Sequence, residues 1–329
     1  MDIVLLIPIF LSLFVTLFSI PFWIKRAKRI GLAGKDMQKN NSELVAEAGG
    51  ISVIGGFIVG VLSYIAIKTF YFKSKDNLIE IFASLSVILI IAFIGFVDDI
   101  TGWKIGLSKK TRILFLFLAS IPLVVINAGE SNVFGVELGL IYPLILIPFG
   151  IIGASTTFNF LAGYNGLETS QGILILSALS IITFTSGEKW LTVIVLCMVV
   201  ALFSFYIFNK YPAKVFPGDI LTYSVGGLIA ITAILGNLEK IAIFFFIPYI
   251  LETILKLRGK LKKESFARVN PDGSLEMPYE KVYGLEHLAI KILKKIKPSK
   301  KVYEKEIVYF INTFQIIIII LGMVLFWKP

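Results

Sequence analysis

Ten stretches of about 20 apolar residues make up most of the chain, near residues 3–24, 49–67, 79–97, 113–129, 138–157, 169–186, 190–208, 219–236, 241–257 and 307–327. A helix of that length crosses the hydrocarbon core of a bilayer, and lipid admits only spanning structures whose backbone groups pair internally. The chain is therefore expected to be all-α, a polytopic integral membrane protein with about ten transmembrane helices. Charged residues are only 16% of the total, against about 25% in soluble domains. The first stretch lacks a basic leader and is longer than a signal-peptide core, so it reads as a retained helix. Residues 1–329 read as a single transmembrane domain, with one sizeable polar stretch, 258–306, between the ninth and tenth helices.

Ten helices place successive connections on alternating sides. The connections after the odd-numbered helices, with the helix ends beside them, hold 26 of the 32 Lys and Arg residues; the others are Lys68, Lys73, Lys75, Lys189, Lys240 and Lys328. By the positive-inside tendency the odd-numbered connections are cytoplasmic, 258–306 is a cytoplasmic loop, and both termini lie outside. The net charge of +10 is thus mainly a topology signal. No compact basic domain exists to carry a nucleic acid, so nucleic-acid binding is not expected. The single Cys197 excludes disulfides within the chain. Seven acids, Asp2, Asp76, Glu80, Glu130, Glu137, Glu188 and Glu239, fall on the outer side and the other 15 of the 22 on the cytoplasmic side. Chemistry is expected at the cytoplasmic face.

Three cytoplasmic helix ends carry carboxylates or amides in apolar surroundings, where burial is costly and function is the default expectation. Asp98-Asp99 ends the third apolar stretch and is followed by Lys104, Lys109, Lys110 and Arg112. Adjacent acids repel unless a cation compensates, so a divalent metal or a basic cluster is expected beside them. Phe158 to Glu168 holds two amides, two glycines and one acid but no Lys or Arg. Lys214-Val215-Phe216-Pro217-Gly218-Asp219 sets an aromatic, a turn and an acid at the start of the eighth helix. Each has an ordinary reading on its own: acids ending a helix in water, an Asn-Gly turn, a helix N-cap.

Their order is more specific than any member. With Gly34-Lys35-Asp36-Met37-Gln38-Lys39, Glu47-Ala48-Gly49-Gly50, Arg268-Val269-Asn270 and Gly273 to Met277, it resembles the polyprenyl-phosphate N-acetylhexosamine-1-phosphate transferases. Within that family it is most similar to the dolichyl-phosphate GlcNAc-1-phosphate transferase branch of archaea and eukaryotes. The resemblance implies a glycosyl-phosphate transferase that moves GlcNAc-1-phosphate from UDP-GlcNAc to dolichyl phosphate and releases UMP, the first step of lipid-linked oligosaccharide and N-glycan assembly. It implies Mg²⁺, with Mn²⁺ as a substitute, held by Asp219 and Asn159. It places Phe216 on the uracil ring, Asn165 and the Gly163 backbone at the base, Asp98 and Asp99 near the reacting phosphates, and Glu47 and Arg268 among the substrate-binding residues. The implied partners are a UDP-sugar, a polyprenyl or dolichyl phosphate and membrane lipid, and a homodimer is compatible with it.

Two departures touch the diphosphate. The family's lysine after the acidic pair has no single match: extending the next helix backward puts Arg112 there, with Lys109 and Lys110 as rivals. The eukaryotic Arg-His-Arg cluster is replaced around Arg258 to Glu264, and the sole histidine, His287 in Gly284-Leu285-Glu286-His287, reads as structural or surface. Expected alternatives are transfer of another UDP-N-acetylhexosamine phosphate for cell-surface polymers and, from a different class, secondary transport. Transporter sites lie near the membrane midplane in repeated halves, whereas these acids collect at one face. The acceptor's tail must reach the site through lipid, so an apolar groove is expected beside the fourth, fifth and ninth helices.

Overall fold

The computed structural model describes residues 3–40, 44–102, 106–133 and 135–326; Lys104 lies outside them. Every apolar stretch is helical: α1 (Leu6–Arg29), α2 (Gly50–Ala66), α3 (Leu78–Thr101), α4 (Lys109–Val125), α5 (Ile147–Phe160), α6 (Leu167–Thr185), α7 (Lys189–Asn209) and α8 (Asp219–Leu235). The ninth stretch is broken at Phe246, just before Pro248, into α9 (Glu239–Phe245) and α10 (Ile247–Arg258). Proline has no N–H to give a preceding turn and is tolerated at the start of a helix. After α10 come α11 (Leu285–Ile296) and α12 (Glu304–Phe326). Besides short 3-10 and π-helical turns at Ile3–Leu5, Ile67–Tyr71 and Tyr142–Leu146, three short antiparallel hairpins are present: β1 (Ala33–Lys35) with β2 (Leu44–Ala46), β3 (Asn132–Val133) with β4 (Val136–Glu137), and β5 (Arg268–Val269) with β6 (Leu275–Glu276).

Among the described residues, seven helices are long and apolar enough to cross a membrane unaided; α8, at 17 residues, is a shorter apolar helix. The chain is an all-α, multi-pass membrane protein. Its outward surface shows the same: Phe10, Phe14, Phe18 and Phe22 form an exposed apolar stripe on α1 at a spacing of four, facing where lipid would lie. The opposite face of α1 buries Ser12, Thr16 and Ile20 against α2, where a Cβ at Gly56 would sit 2.7 Å from the Ser12 carbonyl oxygen. Small residues let membrane helices approach this closely.

At the centre of the bundle stands α8, buried on all sides from Ile220 to Ile234. It packs against α3 and α5 most extensively and also against α2 and α6. A Cβ at Gly95 of α3 would lie 2.5 Å from the Ile220 nitrogen, so the two backbones touch where α8 begins. The same end of the bundle holds the ends of α1, α3, α5, α7 and α10 and the starts of α2, α4, α6, α8 and α12, which brings all the sequence motifs to one face. There the β1–β2 hairpin is tied to the start of α8: the Phe216 N–H donates to the Ala46 carbonyl at 2.7 Å, and the Gly49 N–H to the Phe216 carbonyl at 2.9 Å.

The 258–306 loop is itself folded. Amphipathic α11 buries Leu285, Glu286, His287, Ala289 and Ile290, and ion pairs Lys294–Glu276, Lys297–Glu306 and Lys301–Asp272, each about 2.7 Å or shorter, pin its surroundings. Gly95→Ala is expected to force α8 away from α3 and to cost about 1–3 kcal/mol of stability, the scale of core overpacking. Thermal unfolding of the detergent-solubilised protein measures it.

Candidate active site

The site is built around the first turn of α8. Four backbone N–H groups at a helix start have no partner within the helix, and here two of them meet a carboxylate from α3: Asp99 accepts from the Asp219 N–H at 2.7 Å and from the Ile220 N–H at 3.2 Å. Its neighbour Asp98 points elsewhere, accepting from the Leu107 N–H at 2.6 Å and pairing with the Arg112 guanidinium at 2.6 Å. The adjacent acids are thus compensated by a helix N-terminus and by one arginine. Arg112 also lies 3.9 Å from the Asp219 carboxylate.

Asp219 accepts a hydrogen bond from the Asn159 amide at 2.7 Å, and the same amide donates to the Thr222 hydroxyl at 2.8 Å. The Asn159 carbonyl oxygen is left without a partner among the described residues. Asp219 and Asn159 both line a cavity of about 710 Å³, which Phe216, Asn165, Gly163, Glu47, Asp36 and Glu168 also line. Burial raises the Glu47 carboxyl above its ordinary range. A second cavity of about 380 Å³ shares the Asn159 wall and carries Lys109, Arg112, Lys256 and Lys263 with a single acid, Glu264.

Among the described residues, no group of three His, Cys, Asp or Glu side chains is spaced to hold a metal ion by itself. Asp219 and Asn159, which line the cavity side by side and each carry a hard oxygen donor, suit an ion that takes most of its ligands from phosphates and water, as Mg²⁺ does.

The loop after α5 is held by acids from other parts of the chain. The Gly163 N–H donates to the buried Glu168 carboxylate and the Asn165 N–H to Glu304, each at 2.7 Å, while the Asn165 side chain donates to Asp36 at 3.0 Å. The Gly163 amide is therefore engaged within the protein. Of the three cations that compete for one place, Arg112 contacts Asp98, Lys109 reaches the Leu261 carbonyl at 3.5 Å from the wall of the second cavity, and Lys110 is exposed outside both. Arg268 lies exposed on β5, away from both linings, and Asp98 and Asp99 support the cavity walls without lining them. Glu252 pairs with Lys256 at 3.5 Å and accepts from the Leu285 N–H at 2.6 Å. His287 is fully buried in α11, and burial, with the nearby Lys256 charge, lowers it to about 4, which keeps it neutral. Glu304 and Thr222 carried no signal in the sequence, because a single acid or hydroxyl at a helix start is unremarkable until its distant partner is known.

An apolar groove of about 430 Å³ runs between α5, α8 and α9–α10, from Tyr142 and Glu239 at the far end to Thr157 and Ile250 nearer the site. The expected groove beside the fifth and ninth stretches is present; α8, not α4, forms its third wall.

Residues 81–237 match the glycosyl transferase family 4 profile, a span that includes Asp98-Asp99, Asn159 to Glu168 and Phe216 to Asp219. A protein of Saccharolobus solfataricus described as a UDP-N-acetylglucosamine–dolichyl-phosphate N-acetylglucosaminephosphotransferase is 35% identical over 295 residues, 88% of each chain. The chain belongs to this family. A Sulfolobus acidocaldarius protein described in the same words is 31% identical over 97% of this chain and 95% of its own. The phospho-N-acetylmuramoyl-pentapeptide-transferase of Streptococcus pyogenes is 29% identical over 75% of this chain and 77% of its own. The resemblance to the polyprenyl-phosphate N-acetylhexosamine-1-phosphate transferases, on the dolichyl-phosphate side, holds across nearly the whole length.

Asp99→Ala is expected to lower stability by about 1–3 kcal/mol, because it leaves two N–H groups at a buried helix start unpaired. Asp219→Ala removes a partly exposed carboxylate and is expected to unfold close to the wild-type temperature in the same thermal scan.

Proposed function

We propose that this protein transfers N-acetylglucosamine-1-phosphate from UDP-N-acetylglucosamine to dolichyl or another polyprenyl phosphate, releasing UMP, at the cytoplasmic face of the cell membrane. The observation that carries the reading is the junction at Asn159: a cavity whose wall includes Phe216, Asn159, Asn165 and Asp219 meets a cationic cavity beside it. A nucleotide fits the first and phosphates the second. The descriptions of the two archaeal relatives favour the same donor and acceptor. The Lys and Arg excess at the site end supports the cytoplasmic orientation.

In this reading Phe216 stacks on the uracil, Asn165 reads its edge, and Arg112 holds phosphate oxygens with its planar fork. A phosphate monoester has a second pKa near 6, so the acceptor is already an anionic nucleophile at neutral pH and no protein base is required. Its oxygen forms a bond to the β-phosphorus while the bond from that phosphorus to the bridging oxygen breaks, and UMP leaves with the electron pair. Asp98 and Asp99 act beside the phosphates through what they hold: Asp98 aims Arg112, and Asp99 fixes Asp219 at the cavity wall. Their engagement with Arg112 and with α8 supports a single displacement over an aspartyl intermediate. Mg²⁺, with Mn²⁺ as a substitute, is held in this reading by Asp219 and Asn159 and supplies positive charge against the diphosphate. The apolar groove takes the prenyl tail, whose phosphate then enters from the lipid side.

Purified protein given radiolabelled UDP-GlcNAc, UDP-GalNAc or UDP-MurNAc-pentapeptide with a polyprenyl phosphate tests the reading. UMP release and a lipid-linked diphosphate sugar are expected with UDP-GlcNAc, and their absence with every donor overturns it. Asp219→Ala is expected to abolish transfer at any Mg²⁺ concentration, whereas Asn159→Ala, which removes a neutral ligand that water can replace, raises the Mg²⁺ requirement in the same assay. Arg112→Ala is expected to lower turnover about 10²–10³-fold, the scale of a lost charge-stabilising donor, and Lys109→Ala to lower it far less. The opposite ranking moves the phosphate-binding role to Lys109.

A further inference from the structure

We infer that Asp36 is the residue that sets base selectivity, by fixing which way round the Asn165 amide faces the nucleotide cavity. The inference rests on the reading of that cavity as a uridine site. Asp36 and Asn165 are 4% and 6% exposed and both line the cavity. The main chain at Asn165 is immobilised, since its N–H donates to Glu304 at 2.7 Å and the Gly163 N–H two residues earlier donates to Glu168 at 2.7 Å. What remains free is a half-turn of the Asn165 side-chain amide, which exchanges an oxygen acceptor for an NH₂ donor at nearly the same positions.

Asp36 removes that freedom. Its carboxylate pairs with Lys39 at 2.7 Å, and an ionised carboxylate only accepts hydrogen bonds. The Asn165 group 3.0 Å from it is therefore the NH₂, and the Asn165 oxygen, which has no partner among the described residues, is held on the other side. Asp36 is itself oriented, because its second oxygen accepts from the Gln38 N–H at 3.1 Å.

The orientation matters because uracil and cytosine differ by the same exchange. Uracil offers N3–H as a donor next to O4 as an acceptor, and cytosine offers N3 as an acceptor next to an N4 amine as a donor. An amide locked one way round satisfies one base and sets donor against donor and acceptor against acceptor with the other. Asp36→Asn breaks the lock: the oxygen that faces Asn165 also pairs with Lys39, so the new amide either keeps its oxygen there and sets its NH₂ against the Gln38 N–H, or keeps its oxygen with Gln38 and presents NH₂ to Lys39 and Asn165, in which case Asn165 turns its own oxygen toward it. Lys39→Met removes the ion pair and leaves the carboxylate in place, so it separates loss of charge from loss of orientation.

The test measures UMP and CMP binding by calorimetry, together with KM and kcat for UDP-GlcNAc, on the full-length protein in detergent. Wild type is expected to prefer UMP. Asp36→Asn is expected to reduce the UMP-to-CMP affinity ratio about tenfold or more, the scale of one mispaired buried hydrogen bond, raising KM for UDP-GlcNAc with little change in kcat. Lys39→Met is expected to keep the wild-type ratio. Should Asp36→Asn fail to fold, Asp36→Ala leaves the amide free to turn and is expected to erode the ratio in the same direction. An unchanged ratio in folded Asp36→Asn or Asp36→Ala, with wild type active on UDP-GlcNAc, overturns the inference alone. A wild type that binds neither nucleotide and releases no UMP overturns the reading beneath it.

Discussion

One carboxylate organises the active end of this protein. A helix that starts inside a bundle carries unpaired N–H groups into a place where water cannot serve them, and α8 starts there. Asp99 of α3 meets that need with two hydrogen bonds, and the glycine one turn before it lets the backbones touch. Because Asp219 is the first residue of α8, whatever fixes the helix start also fixes that side chain. The same seam places Asp98 where Arg112 can reach it. Two adjacent acids, which would repel in isolation, are turned to different tasks by what each one faces.

A second constraint comes from the direction of the helices. Each long helix either begins or ends at the active face, so the face is assembled entirely from termini and short connections, and its polar groups come from distant parts of the chain. Backbone amides of one connection are held by carboxylates of another, as with Glu304 and Asn165. These connections are tied together less by local secondary structure than by buried hydrogen bonds from backbone N–H groups to carboxyl groups of adjoining helices, which are costly to leave unmade where water is excluded.

Much of this was legible in the sequence. The length and spacing of the apolar stretches give every long helix, since a 20-residue apolar segment has few other options, and the placement of Asp98-Asp99, Asn159, Asn165, Phe216 and Asp219 at helix ends on one side gives the face. What periodicity could not give is partnership. Nothing local distinguishes Asp99 as a cap for a helix 120 residues away from Asp98 as the partner of Arg112, because alternate neighbours on a helix diverge only when the surrounding helices are in place. The break at Phe246 has Pro248 as its only local mark in an apolar run whose length reads as one helix, and the fold of 258–306 was hidden in a stretch whose charges read as a solvated loop while α11 buries one face of it. Arg268 carried a recognisable motif and yet sits exposed on β5, since a hairpin of two-residue strands turns its side chains to alternate sides.

The contact between Glu304 and Asn165 also bears on how the protein is made. Glu304 is the first residue of α12, and the chain is synthesised from the other end. Every residue lining the larger cavity at the site precedes it by more than 30 positions, yet the loop that carries Asn165 has its backbone N–H satisfied only once α12 has begun. A chain extended only through Phe266 thus contains every cavity residue but not the acceptor of one buried amide. The Asn165 loop therefore reaches its full set of hydrogen bonds only when the start of α12 is in place.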